Sequence, residues 1–370
     1  MAALNTRAIA ASSDGAVVVG QSLNFPFIWT EEIGISHLGG PSGTLTAARA
    51  VSLDGLIAAG STTEALTGDA RAFRWTAETG LVDLGTLGGT QTVFESMSPV
   101  GGVVVGNSLN LTADLRAFRS VVGSPMADLG DLGGGEASAL GTSYDGSVVV
   151  GVSKNLSAED RAFLWTSADG MSDLGTLGVY SEASLVSYDG SVVAGYSGLV
   201  DGVSDHAFRW TLAGGMVDLG TLGGLVSYVT GISSDGSVIV GYSENAGGEA
   251  HAFRWTAGGG MVDLGTLGGL TSSANAVSAD GTVVVGNALT VGGVSHAFRW
   301  TSAKGMVDLG TLGGAISIAD AVSADGTTVV GLAALVSGTE RAFKLIDGFP
   351  LKSFFTGLDN SAIDFAQSII

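Results

Sequence analysis

A phenylalanine returns every 45 residues along this chain. Phe73, Phe118, Phe163, Phe208, Phe253, Phe298 and Phe343 are evenly spaced, and Phe27 in FPFIWT is a weaker copy 46 residues before Phe73. The text around it repeats almost word for word: HAFRWTLAGGMVDLGTLGG at 206–224, HAFRWTAGGGMVDLGTLGG at 251–269 and HAFRWTSAKGMVDLGTLGG at 296–314. A second series, S-x-D-G, gives Asp14, Asp54, Asp145, Asp189, Asp235, Asp280 and Asp325, with a degenerate copy that lacks the aspartate and ends at Gly101. Each series counts eight. A catalytic motif has no reason to recur in this way. A fixed period of this length means one supersecondary unit, repeated because every copy meets the same neighbours.

The unit is legible in the sixth copy. VTGISSDGSVIVGYS (229–243) is β-branched on both sides of Asp-Gly, the strongest short-range hairpin signal, because Asp and Gly tolerate the positive φ of a type I′ turn. HAFRWT (251–256) then alternates, turns through AGGG and returns as MVDLGTL (261–267), a second hairpin. No helix caps and no 3.6-residue pattern interrupt this. The unit is a four-stranded antiparallel meander, and eight of them predict an all-β chain folded as a single β-propeller of eight blades, with seven blades plus a leftover as the alternative. A parallel β-helix is the runner-up, and paired Asp-Gly hairpins speak against it. The blades are expected at about 4–45, 46–89, 90–134, 135–179, 180–224, 225–269, 270–314 and 315–358, with a tail at 359–370. Each copy begins with its inner strand, so the ring is expected to close without a borrowed strand.

A four-residue turn through AGGG would set Arg254 opposite Asp263 and Phe253 opposite Leu264. The same pair recurs as Arg209–Asp218, Arg299–Asp308, Arg74–Asp83 and Arg119–Asp128, is lost together at Ile28/His37 and Lys344/Ser353, and is broken in blade four, which keeps Asp173 but has Leu164. On this register a partly buried Arg–Asp pair holds the hairpin in five of the eight blades, and removing Asp263 alone would cost about 3–5 kcal/mol if its burial is full. His206, His251 and His296 occupy one repeat position where other copies carry Arg71, Arg116, Arg161 and Arg341. His/Arg interchange suits a hydrogen-bond donor and does not suit a metal ligand, so no metal is expected.

Fifteen Lys and Arg against thirty-five Asp and Glu give a net charge of −20, which argues against nucleic acid and anionic membrane as partners. With no Cys, disulfides, thiolate chemistry and Cys-ligated zinc are excluded. No stretch reads as a membrane span. MAALNTRAIAASSDG lacks the basic, apolar, small-residue order of a signal peptide, implying a cytoplasmic protein or a signal upstream of this sequence. No nucleophile elbow, phosphate loop or H-E-x-x-H pattern is present, and the TLGG segments lack a following helix, so no cofactor is expected. The chain is expected to act as a monomer.

H-A-F-R-W-T, G-M-V-D-L-G-T-L-G-G and A-V-S-x-D-G-x-V-V-V-G resemble the bacterial HAF repeats, a probable extracellular repeat family, over residues 5 to 357. The layout is also similar to kelch repeats, with V-V-G closing the second strand and Trp ending the third. The resemblance implies secretion or surface display. It implies no reaction and carries no catalytic residue onto this chain.

Function in a repeat protein is expected where the repeat breaks. The loops between second and third strands differ from copy to copy and are mostly acidic, with Glu64, Asp69, Asp114, Glu159, Asp160, Asp201, Asp205, Glu244 and Glu249. The segments entering the innermost strands break pattern at Arg49, Phe94, Glu95, Glu136, Glu182, Tyr228, Asn275 and Asp320. These eight should ring the mouth of the central channel, where polar groups and aromatics suit a glycan, another polar ligand or a protein partner. The expected function is binding or adhesion. The alternative is a secreted carbohydrate-active enzyme, a lyase or hydrolase, with Glu95, Glu136 and Glu182 as its carboxylates.

Overall fold

The computed structural model describes residues 5–39, 44–64, 67–346 and 352–353; the expected tail at 359–370 lies outside them. Among the described residues there are 32 strands and no helix, in eight consecutive groups of four. Each group is an antiparallel meander paired in chain order. The first strands of neighbouring groups touch one another, so the first strand of each blade is innermost and the fourth is at the rim. One parallel contact, Asp205 with Val226, joins the fifth and sixth blades into an eight-stranded sheet, so the eight blades make seven hydrogen-bonded sheets. The antiparallel pairing excludes the β-helix.

The core lies between blades. It divides into eight clusters, one for each blade-to-blade interface. In the sixth-to-seventh interface Val238, Val240 and Ala252 of one blade meet Ala274, Val284 and Phe298 of the next. All eight repeat phenylalanines are at most 1% exposed. The last interface has the same form, with Val330 and Ala342 of blade eight against Ala8, Val18 and Phe27 of blade one. The ring is therefore closed, and each blade uses its own four strands.

Hydrogen bonds follow the same cycle. The first-strand hydroxyl of one blade accepts the backbone N–H of the repeat alanine in the blade before it: Ala207 to Ser227 at 2.8 Å, Ala252 to Ser272 at 2.8 Å, Ala297 to Ser317 at 2.9 Å and, across the closure, Ala342 to Thr6 at 2.9 Å. The same serines donate back to Gly220, Gly265 and Gly310 carbonyls. A second belt joins the Asp-Gly turns. Tyr144 donates its N–H to Tyr188, Tyr188 to Ser234, Ser234 to Ala279 and Ala279 to Ala324, and Asp325 reaches Ser13 at 3.4 Å to close it.

The second hairpin differs from expectation by one residue. Thr256 faces Gly260, Trp255 faces Met261, Arg254 faces Val262 and Phe253 faces Asp263. The reason is the turn. Thr256 Oγ1 accepts the N–H of Gly259 at 3.1 Å, and Gly260, at φ +66°, pairs with Thr256 instead of lying in the loop. The loop is three residues long, and the predicted Arg254–Asp263 pair does not form. Arg254 crosses to the next blade instead, where Nε and Nη2 both donate to the Gly281 carbonyl at 3.2 Å. Arg119 reaches Gly146, Arg299 reaches Gly326, and Lys344 reaches Gly15 over the closure at 2.7 Å.

Asp263 takes His251 Nδ1 at 2.8 Å and the Gly265 N–H at 2.7 Å. Asp218 and Asp308 hold His206 and His296 in the same way, and Asp128 holds Arg116. His and Arg at this position thus serve one donor role. Where blade one has His37 for the aspartate, the His/Arg position is Phe25, edge-on to it at 5.6 Å.

These contacts lower the cost expected for losing Asp263. Asp263 has its side chain 41% exposed, so Asp263→Ala is expected to cost about 1 kcal/mol or less. Ser272→Ala strands two backbone groups at a buried interface and is expected to cost about 1–3 kcal/mol. Denaturant melts of the two variants check the ranking; equal losses would refute it.

Candidate functional site

Every first strand carries a one-residue bulge against the second strand. A bulged residue is released from pairing and re-aimed. Arg49, Glu95, Asn275 and Asp320, half of the predicted set, are the bulged residues of their blades. Glu182 and Tyr228 stand two residues earlier on their strands, paired with Tyr196 and Tyr242.

A cavity of 510 Å³ lies among blades one to three, bordered by Arg7, Ile9, Gln21, Arg49 and Glu95. Arg7 is held by Asp320 through Nε–Oδ2 at 2.9 Å and Nη2–Oδ1 at 2.6 Å, a bidentate pair between blades one and eight. Burial pushes the Asp320 carboxyl up despite that pair. Burial also pushes Glu95 up, opposed by the charge of Arg49 and a 3.3 Å hydrogen bond from Asn107.

Across the ring, blades five and six hold a wall of tyrosines. Tyr180 and Tyr196 meet edge-on at 6.3 Å, Tyr196 and Tyr228 at 5.1 Å, and Tyr228 and Tyr242 tilted at 5.5 Å. Tyr180 and Tyr228 both donate to Asp205, the latter at 2.6 Å, and Tyr196 donates to Glu182 at 3.3 Å. The bond to Asp205 pushes the Tyr180 hydroxyl up to about 12. Glu182 is pushed up by burial, opposed by the Tyr196 bond and reinforced by the charges of Asp160 and Glu95.

The remaining predicted residues go elsewhere. Phe94 borders the cavity but is only 3% exposed; it packs into the interface of blades two and three with Ala59, Ala72 and Phe118. It stands where other blades carry Ala or Val, so it broke the pattern in size and not in side, and its placement at the mouth is corrected to the core. Glu136 is exposed and faces Lys154 at 3.7 Å. Asn275 binds the Ala319 carbonyl of the next blade at 2.9 Å, as Thr230 binds Ala274.

Arg7, Gln21, Tyr180, Tyr196 and Tyr242 were missed. The tyrosines had a signal: G-Y-S at 195–197 and 241–243 places an aromatic after the strand-two glycine in two adjacent blades, where the other blades have Gln21, Ser61, Asn107, Val152, Asn287 and Leu332.

No family model and no curated protein matches the chain. Solved structures do. The dipeptidyl peptidase 4 of Porphyromonas gingivalis aligns at TM-score 0.61 and 12% identity, over 98% of this chain and 60% of that one. A prolyl endopeptidase aligns at 0.59 and 11%, over 92% and 54%. The β-propeller domain of the Trilobed protease from Pyrococcus furiosus, described as having an open velcro topology, aligns at 0.53 and 12%, over 82% and 96%. The chain thus spans little more than half the length of the two peptidases. At these identities the likeness is one of fold: this is a β-propeller.

The two sets of carboxyls act oppositely with pH. Glu95, Glu182 and Asp320 hold their protons more tightly folded than unfolded, so the stability they carry at low pH is lost as pH rises past their ordinary range. The turn aspartates, such as Asp235 lowered first by its Ser233 hydrogen bond, lose stability as pH falls. Glu182→Gln is therefore expected to gain melting temperature over the parent between pH 4 and pH 7, with no gain at pH 4. A constant difference across that range would contradict the assignment.

Proposed function

We propose that this protein is a non-enzymatic, secreted or surface-displayed binding module that takes a hydroxyl-rich ligand such as a glycan at the channel mouth. The observation that carries this reading is the tyrosine wall with its hydrogen-bonded carboxylates. Such rings present apolar faces to a sugar, while Glu182, Arg49 and Gln21 offer polar partners around the same channel. The variable loops between second and third strands extend the same end of the molecule. The resemblance to extracellular repeats supports the location.

A second reading, a carbohydrate-active enzyme, draws on Glu95 and Glu182. Both carboxyls are raised, and each other's charge contributes at Glu182. A raised carboxyl is what a general acid needs.

A glycan array read together with a product-release assay separates the two. Binding without turnover is expected, with Arg49→Ala and Tyr228→Ala each weakening it about tenfold, or roughly 1.4 kcal/mol. Arg49→Ala is a surface change and is expected to alter stability by no more than about 0.5 kcal/mol. Turnover that disappears in Glu95→Gln or Glu182→Gln would replace the binding reading with the enzymatic one.

A further inference from the structure

We propose that Tyr180, Tyr196, Tyr228 and Tyr242, with Glu182 and Asp205, form a subsite for an organic ammonium group on the ligand. This rests on the channel mouth being the ligand site and names the chemistry of one part of it.

The rings come first. Five of the six tyrosines of the chain lie in blades five and six, and four of them are in ring-to-ring contact at 5.1 to 6.3 Å. Each of the four side chains is partly exposed. Three of the hydroxyls already donate to carboxylates, so a ligand would meet the ring faces more than free hydroxyls. A phenol that donates to a carboxylate is polarised toward its anion, which enriches the ring face in electron density. Such a face attracts a cation through its quadrupole.

The charges agree. Among the described residues no Lys or Arg forms an ion pair with Glu182 or Asp205. Lys154 is engaged by Glu136 and Asp160, and Arg161 by Glu159 and the Val179 carbonyl; Arg209, four residues after Asp205, forms no ion pair with it. His206 is held by Asp218. Two carboxylates and an aromatic wall thus stand without a counter-charge. The net charge of −20 draws cations toward the molecule and disfavours an anionic ligand. A neutral sugar would use the ring faces but leave the carboxylates uncompensated; an ammonium uses both.

The test needs a charged probe and its neutral shape-mate. Choline and 3,3-dimethylbutan-1-ol differ in one atom and one charge. Calorimetric titration of the full chain is expected to show choline binding roughly tenfold more tightly. Glu182→Gln should remove most of that preference and leave the alcohol within about twofold. Tyr228→Phe should keep part of it, because the ring remains without the polarising bond to Asp205, whereas Tyr228→Leu should lose it; melts of all variants establish that they are folded. Equal affinity for the two probes, or a preference that survives both Glu182→Gln and Tyr228→Leu, overturns the subsite. If glycans bind and choline does not compete, the ammonium subsite falls while the glycan reading stands. If choline binds with this dependence and no glycan does, the subsite stands and the glycan reading falls.

Discussion

Each blade depends on a glycine with no room for a side chain. In the second strand of blade six this is Gly241. A Cβ there would lie 1.9 Å from the Tyr228 carbonyl and 3.0 Å from the Phe253 ring. The first strand presses its carbonyl into that space immediately before its bulge, and the phenylalanine of the third strand covers the glycine from the other side. The same contact recurs at Gly106, where the Val93 carbonyl and Phe118 close in. The V-V-V-G motif, the repeat phenylalanine and the bulge are therefore one device. Its structural product is the interface between blades; its functional product is the bulged residue, released from the ladder on the innermost strand.

The interfaces are alike but not equal. Between blades three and four two recurring hydrogen bonds are absent: Pro99 has no N–H to give to the turn of blade four, and Ala137 replaces the hydroxyl that other blades offer. Other contacts serve there. Arg116 reaches Asp131 and the Gly135 carbonyl, Asn107 reaches Ser138 at 3.0 Å, and Arg119 reaches Gly146 at 2.8 Å. Cations are scarce in this chain, and many are spent this way. Arg119, Arg254, Arg299 and Lys344 latch one blade to the next, and Arg7 is paired over the closure. Among the described residues Arg49 makes no such latch; it borders the cavity and its charge bears on Glu95.

The period and the Asp-Gly turns made the propeller and its eight blades legible, because both are set by neighbours along the chain. The second hairpin was misread by one residue because a glycine in a turn can count as loop or as paired strand. Only its positive φ at Gly260 and the threonine bond decide between them. The apparent pairing of Arg254 with Asp263 across copies came from two separate roles, one reaching the next blade and one holding His251. The bulge positions were legible as breaks in the repeat at Arg49, Glu95, Asn275 and Asp320, and of these Arg49 and Glu95 border the cavity. Phe94 was not separable from them by sequence, since a strand alternates sides and a bulge resets the alternation.

Symmetry and function pull this ring in different directions. The scaffold needs the same residue eight times at the glycine, the phenylalanine and the turn, and there the sequence hardly varies. The innermost strands need only fill a bulge, and there Arg49, Glu95, Thr230, Asn275 and Asp320 share one position. Blades one to three contribute the cavity with its arginines, while blades five and six, opposite them in the eight-membered ring, contribute the tyrosines and carboxylates. The two sides of the ring thus differ in residue chemistry in a way that the repeat itself would never create. A ligand seated there would be oriented as well as held, and that orientation would come from a handful of substitutions at a position the fold leaves free.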